Sequence, residues 1–264
     1  MGICKAALKR MMMKLLLIGL LSVLSFSSLA AEKKLIFVSS EFAGISERNE
    51  AGDLTGLGVD IIRKIAQDLE IEIDIQLYPF NRMMSLMKEQ KVDAAFGIYK
   101  KPDRETYMDY IPVSFFNDTY LFYTTRANQL NWDGEMASFP KDKAFCWVRG
   151  WSYFNKLYQI KSEILFHEHP SLEGCVTLLM ANRFDLIAGP IRDIVPLIEK
   201  HGIEDKVKLL AKDYGLEGNY IAFPKGHMPE LQQGVEQSLV RILKSDWYRI
   251  KLHQYGLKAG QVHL

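Results

Sequence analysis

The chain has 264 residues, of which 48% are apolar and 25% charged, so it can bury a sizeable core and is neither disordered nor fibrous. Its 33 basic residues are balanced by 32 acidic ones, and no run of like charge is long enough to follow a phosphate backbone. We therefore expect a folded protein whose main partner is a small molecule, with no role in binding nucleic acid.

The first thirty residues have the three parts of a cleaved export signal. Basic residues at positions 5–14 precede an apolar run at 15–24, and residues 28–30 offer the small side chains that a signal peptidase accepts. We expect cleavage after Ala30 and a mature chain in the periplasm. An uncleaved membrane anchor is the alternative, although the apolar stretch is marginal for spanning about 30 Å of hydrocarbon.

The residues after this signal predict a first unit of alternating strands and helices. Short apolar runs and period-two alternation indicate strands, and apolar residues spaced three and four apart indicate helices. In chain order the elements are strand 34–39, helix 57–69, strand 71–77, helix 81–91 and strand 92–98. This β-α-β-α-β order implies parallel strands joined by right-handed crossovers.

The same pattern recurs further along the chain as strand 143–148, helix 171–182 and strand 184–189. Residues 184–189 (FDLIAG) resemble residues 92–97 (VDAAFG), and each run follows a helix with Leu-Met near its end. This similarity indicates two α/β units in tandem. The alternative is that helix-turn-strand units look alike in unrelated proteins.

Two further strands, 118–126 and 219–223, are placed to cross between the units, and residues 229–255 predict terminal helices. The predicted fold is therefore α/β with two lobes, a two-strand hinge and a cleft between the lobes. We assign residues 31–124 and 216–264 to the first lobe, and residues 125–215 to the second.

The cysteines of the mature chain are Cys146 and Cys175, because Cys4 lies within the export signal. Two cysteines exported together could form a disulfide in an oxidising compartment. Two buried thiols are the alternative, since sequence does not give the Cα separation.

Ligands of open α/β sheets lie beyond the carboxyl ends of the strands. The candidate segments for a binding site are therefore the ones that directly follow the predicted strands: residues 39–42, 79–82, 97–104, 149–153 and 189–193.

Residues 56–113, beginning GLGVDIIRKIAQDL, carry a resemblance to a known family. The runs VRGWSY, NRFDLIAG and MPELQQGVEQSLVRILKSDWYRIKLHQYGL continue it in the order that the family shows. Together they resemble the bacterial extracellular solute-binding proteins of family 3, the periplasmic amino-acid-binding proteins of ABC transporters. The resemblance covers essentially all of the chain after the signal.

The resemblance implies a role for Arg104, which ends the run Pro102-Asp103-Arg104 at the position of the family's carboxylate clamp. A guanidinium offers two parallel donors that match a carboxylate. The alternative is a surface arginine paired with Asp103 or Glu105. The resemblance also implies ligand-binding roles for Phe80, Gly97, Tyr99, Arg149, Gly150, Trp151 and Ser152. Phe42 is a further candidate because it directly follows the first strand, and Glu41 and Asp193 are candidates for a different reason, given next.

The chain also departs from the family pattern. Pro190 stands where these proteins carry an acidic residue that pairs with the ligand's ammonium, and Lys101 stands where a threonine is usual. Either Glu41 or Asp193 replaces the missing acid, because a buried ammonium needs an ionised partner. Otherwise the ligand is an acid without a free amino group.

The resemblance implies a monomeric, non-enzymatic binding protein without a cofactor, which passes a carboxylate-bearing ligand to an ABC permease. A module that presents ligand to a membrane receptor is one alternative, and a dehydratase on the same fold is another. His167 and His169 share one face of a predicted strand, but too few other ligands lie nearby in sequence to predict a metal site.

Overall fold

The computed structural model of the protein describes residues 34–151, 157 and 159–257. The export signal predicted over residues 1–30 therefore lies outside the described residues. Within the described part of the chain, no helix is long and apolar enough to cross a membrane. The described residues form a mixed α/β fold around one large mixed sheet and a small two-stranded one.

The first lobe has the predicted alternation of strands and helices. Its elements are β1 (Leu35–Ser39), β2 (Glu47–Arg48), β3 (Leu54–Thr55), α1 (Leu57–Asp68), β4 (Ile73–Leu77), α2 (Phe80–Lys88), β5 (Ala94–Ile98), α3 (Pro102–Glu105) and β6 (Met108–Tyr110). Strand β1 lies between β4 and β5 and pairs in parallel with both. Parallel pairing follows from the helical crossovers that separate these strands.

The second lobe repeats this build. After the connecting strand β7 (Phe116–Thr125), its elements are β8 (Phe145–Val148), β9 (Phe166–His169), α4 (Leu172–Met180), β10 (Leu186–Pro190) and α5 (Ile191–Lys200), with 3-10 turns at Met136–Ser138 and Lys161–Glu163. Strand β8 pairs in parallel with β9 and β10. Helix α5 begins directly where β10 ends, and the sequence analysis does not predict this helix.

The connection between the lobes is formed by β7 and by β11 (Val207–Pro224), a strand of 18 residues. β11 pairs antiparallel with β7 from Val207 to Asn219, and its last residues pair with β5 and β6. The predicted strand 219–223 therefore covers only the end of β11. Helices α6 (Pro229–Leu243) and α7 (Asp246–Gln254) return to the core of the first lobe.

A central strand in each lobe divides its side chains between two hydrophobic cores, because successive residues of a strand point to opposite faces. In β8, Phe145 and Trp147 lie in one core, and Cys146 and Val148 lie in the other. The first lobe likewise has a core on each side of β5. The fold class predicted from the sequence, two α/β lobes joined by a two-strand hinge, is therefore confirmed.

A disulfide joins Cys146 on β8 to Cys175 on α4, with 5.7 Å between the two Cα atoms. This separation lies within the usual range for a disulfide. Both cysteines belong to the core between β8 and α4. The bond therefore ties a strand of the second lobe to the helix that packs on it.

Candidate functional site

A cleft lies between the lobes, beyond the ends of β5 and β10 and beside the hinge strand β7. Its lining residues are Phe42, Phe80, Gly97, Ile98, Tyr99, Arg104, Tyr120, Trp151, Pro190, Arg192 and Asp193. The free space between these side chains is small, about 30 Å³. Side chains of the protein itself therefore fill most of the cleft.

Gly97 forms part of the cleft floor and has a backbone conformation that favours glycine. Its φ is +75°, and an added Cβ would lie 3.3 Å from both Ile45 Cγ2 and Ser39 Oγ. The left-handed φ also interrupts the alternation of β5, so Ile98 joins the same core as Ala95. The cleft floor therefore depends on this glycine.

Arg104 lies in the short helix α3, directly after β5, and it is 5% exposed. Its Nη1 donates a hydrogen bond of 2.9 Å to the backbone oxygen of Tyr99. Its guanidinium lies over the ring of Phe80, with 5.2 Å between Cζ and the ring centroid. Arg104 is thus held on the cleft wall by a carbonyl and an aromatic face, and it is not the exposed arginine of the alternative prediction.

Lys101 precedes Arg104 but is not among the residues that line the cleft. Its Nζ lies 3.0 Å from Glu217 Oε2 in a pair whose side chains are 5% and 10% exposed. Burial lowers the pKa of Lys101, although Glu217 opposes this effect. The lysine therefore links the start of α3 to β11.

The most extensively bonded pair in the described cleft joins Arg192 to Asp118 on β7. Arg192 Nε donates to Asp118 Oδ1 at 2.7 Å, and Arg192 Nη2 donates to Asp118 Oδ2 at 3.0 Å. Asp118 Oδ2 also accepts hydrogen bonds from Tyr99 Oη at 2.7 Å and from Asn219 Nδ2 at 2.8 Å. The side chains of Arg192 and Asp118 are 8% and 2% exposed, so the pair is buried.

The pKa values of Tyr99 and Arg192 are both raised, so both side chains keep the protons that they donate to Asp118. Burial raises the pKa of Tyr99, and the neighbouring Asp118 raises it further. Tyr99 therefore stays protonated and donates to Asp118. Burial acts to lower the pKa of Arg192, but Asp118 and Asp193 outweigh it and raise the value.

Arg192 also contacts the first lobe, although it belongs to helix α5. Its Nη1 donates to the backbone oxygen of Ala43 at 3.2 Å, and its Cζ lies 5.7 Å from the centroid of the Phe42 ring. These contacts bridge the cleft. A single guanidinium thus connects α5, the hinge strand β7 and the loop after β1.

Asp193, the next residue of α5, has one satisfied oxygen and one unsatisfied oxygen. Its Oδ1 accepts a hydrogen bond of 2.9 Å from Arg192 Nη1. Its Oδ2 is buried and has no partner among the described residues. Burial raises the pKa of Asp193 to about 6, against the opposing effect of Arg192. The carboxylate therefore lacks a hydrogen-bond donor on one side.

Seven of the predicted site residues lie together in the cleft: Phe42, Phe80, Gly97, Tyr99, Arg104, Trp151 and Asp193. Two others do not. Glu41 is exposed, because the end of β1 buries Ser39 and Ser40 and turns the next side chain to solvent. Arg149 is 59% exposed and pairs with Glu168 at 3.6 Å, since its backbone bonds to the neighbouring strand β9.

Gly150 lies near the first lobe, since an added Cβ would be 2.8 Å from Asn81 Oδ1 on α2. Ser152 lies outside the described residues. Among the described residues, no group of three or more His, Cys, Asp and Glu side chains could hold a metal ion.

The sequence analysis does not single out the lining residues Ile98, Tyr120 and Arg192, nor Asp118, which pairs with Arg192 beside the cleft. Arg192 falls inside the candidate segment 189–193, but the resemblance assigns no role to that position. Asp118 and Tyr120 lie in a segment predicted only as a hinge strand. A charged residue in an otherwise aromatic and β-branched strand was the signal available for Asp118.

Known protein families and solved structures include relatives of this chain with the same architecture. The family model for bacterial extracellular solute-binding proteins, family 3, matches residues 35–258, and the chain belongs to this family. No curated protein sequence matches the chain.

Many solved structures share the fold. A histidine kinase sensor domain with similarity to periplasmic binding proteins has a TM-score of 0.74 and 15% identity, covering 87% of this chain and 99% of that one. A mutant of ArgBP from T. maritima has a TM-score of 0.69 and 15% identity, covering 86% and 96%. The substrate binding protein of an amino acid ABC transporter has a TM-score of 0.67 and 16% identity, covering 84% and 98%.

Proposed function

We propose that this protein captures a small carboxylate-bearing solute, an amino acid or a close derivative, and delivers it to the permease of an ABC transporter. The proposal includes cleavage of the export signal, so the mature chain acts as a monomer in the periplasm. The family and the similarity to an amino acid transporter's substrate binding protein support this assignment.

The observation that carries the proposal is the position of Arg104. Its guanidinium lies on the cleft wall, 5% exposed, against the Phe80 ring. A planar guanidinium recognises a carboxylate through parallel N–H donors, and burial strengthens the interaction. Phe80 limits how the guanidinium can rotate, which reduces the entropy lost when a carboxylate binds.

The second charge of an amino acid has a partner in Asp193, whose Oδ2 is a buried acceptor without a donor. An ammonium next to this oxygen would supply the donor and would also lower the pKa of the carboxyl group. Asp193 thereby takes the place of the acidic residue that Pro190 replaces. Glu41, the other candidate, is exposed and does not line the cleft.

Ligand entry requires the cleft to widen, since side chains of the protein fill most of it. Opening would bend β7 and β11, the two strands that connect the lobes. The contacts that must break include Arg192 Nη1 to Ala43 O. A ligand then shifts the equilibrium toward the closed form by its higher affinity for that form.

A thermal-shift screen of the mature protein against amino acids, short peptides and organic acids tests the proposal. A ligand at about 100 times its Kd adds about 2.7 kcal/mol of stability and raises Tm. We expect at least one free amino acid to do so, and its methyl ester, which lacks the carboxylate, to have no effect. A cleft that responds to no acid, or to ester and acid alike, contradicts the proposal.

Ligand sensing is a second candidate, favoured by the similarity to a histidine kinase sensor domain. Deletion of the gene separates the two functions. Transport predicts loss of uptake of the labelled ligand, whereas sensing predicts normal uptake and loss of a transcriptional response. In both cases the ligand is recovered unchanged, so a new product in the NMR spectrum would instead indicate an enzyme.

A further inference from the structure

The Arg192 side chain has the surroundings of a bound basic ligand. Asp118 holds it through two parallel hydrogen bonds, the Ala43 carbonyl accepts a third, and Phe42 covers one side of the guanidinium. Asp193 accepts a further bond. These partners come from the hinge, from the opposite lobe and from the neighbouring residue, so they surround the guanidinium inside the cleft.

The helix that carries Arg192 does not favour a positive charge at this residue. Arg192 is the second residue of α5, and a cation in the first turn of a helix is disfavoured by the helix dipole. A buried guanidinium also loses its hydration, which only well-placed carboxylates can offset. The cleft partners therefore explain where the side chain lies.

From this geometry we propose that Arg192 is a specificity-determining residue: its guanidinium permanently fills a cation-binding subsite and thereby excludes ligands with a positively charged side chain. A basic side chain entering the cleft would meet Asp118 already neutralised and would face a second guanidinium at close range. The ligand class is thus narrowed to amino acids whose side chain is neutral or acidic. This restriction of the ligand class rests on the proposed function. The presence of a cation subsite filled by Arg192 does not.

Truncation of Arg192 tests the subsite directly. In Arg192→Ala, the carboxylates of Asp118 and Asp193 lose their shared cation while the Phe42 ring stays. We expect low-millimolar methylguanidinium to raise the Tm of this variant, because a small guanidinium can occupy the vacated position. N-methylurea, its neutral counterpart of similar shape, should not. The wild-type protein should respond to neither compound.

The matched control is Arg192→Ala combined with Asp118→Asn, which removes the charge that the added cation would neutralise. We expect the methylguanidinium response to fall by at least about tenfold in apparent affinity. A folded Arg192→Ala variant whose Tm is unchanged by methylguanidinium, or changed equally by N-methylurea, overturns the proposal. An undiminished response in the double variant overturns it as well.

The wild-type protein provides a test that does not depend on the folding of any variant. L-arginine and L-citrulline have the same length, but only arginine carries a side-chain charge. Binding of L-arginine by the wild-type protein as tightly as L-citrulline would overturn the proposal. If no amino acid binds at all, the proposed function fails, and the methylguanidinium experiment still decides whether the subsite exists.

Discussion

Asp118 and Arg192 form a bidentate ion pair that joins the hinge strand β7 to the first turn of α5. The two hydrogen bonds measure 2.7 and 3.0 Å, and both side chains are almost fully buried. The pair thus joins a strand that connects the lobes to a helix of the second lobe. Its removal should affect the folding stability of the protein as well as the geometry of the cleft.

Asp118→Asn should lower the free energy of unfolding by about 3–5 kcal/mol, because it leaves the buried Arg192 without an ionised partner on β7. Urea denaturation measures this change. The double variant Asp118→Asn with Arg192→Met removes both charges and should recover part of the loss. A single variant within about 0.5 kcal/mol of wild type would contradict the structural importance of the pair.

Arg104→Ala should weaken binding of a carboxylate ligand by about 2–5 kcal/mol, since the ligand's charge would be buried without its partner. Isothermal calorimetry with the ligand found by screening measures the loss. Arg82→Ala is the matched control, because Arg82 lies on α2 of the same lobe and is exposed. Equal affinities of the wild type and the Arg104 variant would exclude Arg104 as the carboxylate site.

Asp193 predicts a pH dependence of stability in the absence of ligand. Its pKa is raised to about 6 from an ordinary value of 3.8, so the folded state binds the proton more tightly than the unfolded state. The cost of burying the charged carboxyl is present in full above pH 6 and is relieved as pH falls toward 4. Asp193→Asn should remove this component of the slope in urea titrations between pH 4 and pH 7.

Ligand affinity should show the opposite trend if Asp193 accepts the ligand's ammonium. Protonation below pH 6 removes the negative charge, so the affinity should fall by up to about tenfold for each pH unit. The Asp193→Asn variant should bind weakly at every pH. An affinity that is independent of pH between 5 and 7.5 in the wild type would contradict the ammonium assignment.

The Cys146–Cys175 disulfide should contribute about 2–4 kcal/mol to the stability of the second lobe, as is typical for a native disulfide. Replacement of both cysteines by alanine, followed by chemical denaturation, measures this contribution. Peptide mapping of exported protein without reduction should yield a linked peptide that contains both cysteines. Complete alkylation of both thiols before reduction would show that the bond does not form.

Gly97→Ala should weaken ligand binding more than Gly226→Ala does. Both glycines have positive φ values, +75° and +72°, so both substitutions strain the backbone by about 1–2 kcal/mol. Only Gly97 has close neighbours at the position of an added Cβ, and only Gly97 lines the cleft. Equal affinities of the two variants, measured by calorimetry, would show that the cleft floor tolerates the extra methyl group.

Local patterns in the sequence predict the repeating elements of the fold. The period-two alternation at residues 71–77 and the helical spacing at 57–69 are each set by which side chains face a core. β11 is less predictable, because most of it pairs with β7 and its course depends on long-range register. Helix α5 is not predicted because it begins directly after Pro190, the last residue of β10, so no loop separates the strand from the helix.

The cleft was predicted in part because strand ends meet at one edge of a sheet. That rule, with the family resemblance, brings together Phe80, Arg104 and Asp193. It does not reveal the ion pair of Arg192 with Asp118, because the two residues are placed side by side by the antiparallel register of β10 and β7, in which Pro190 lies opposite Tyr120. The rule also fails for Glu41, which follows a strand as predicted but whose side chain is exposed to solvent.

The long strand β11 has a consequence for the order of folding. Ile98 at the end of β5 pairs with Tyr220, so the sheet of the first lobe is completed by a segment that is synthesised only after the whole second lobe. Contacts of such large sequence separation form late, because the intervening chain must first be confined. The second lobe draws its strands from one continuous stretch, so we expect its core to form before that of the first lobe.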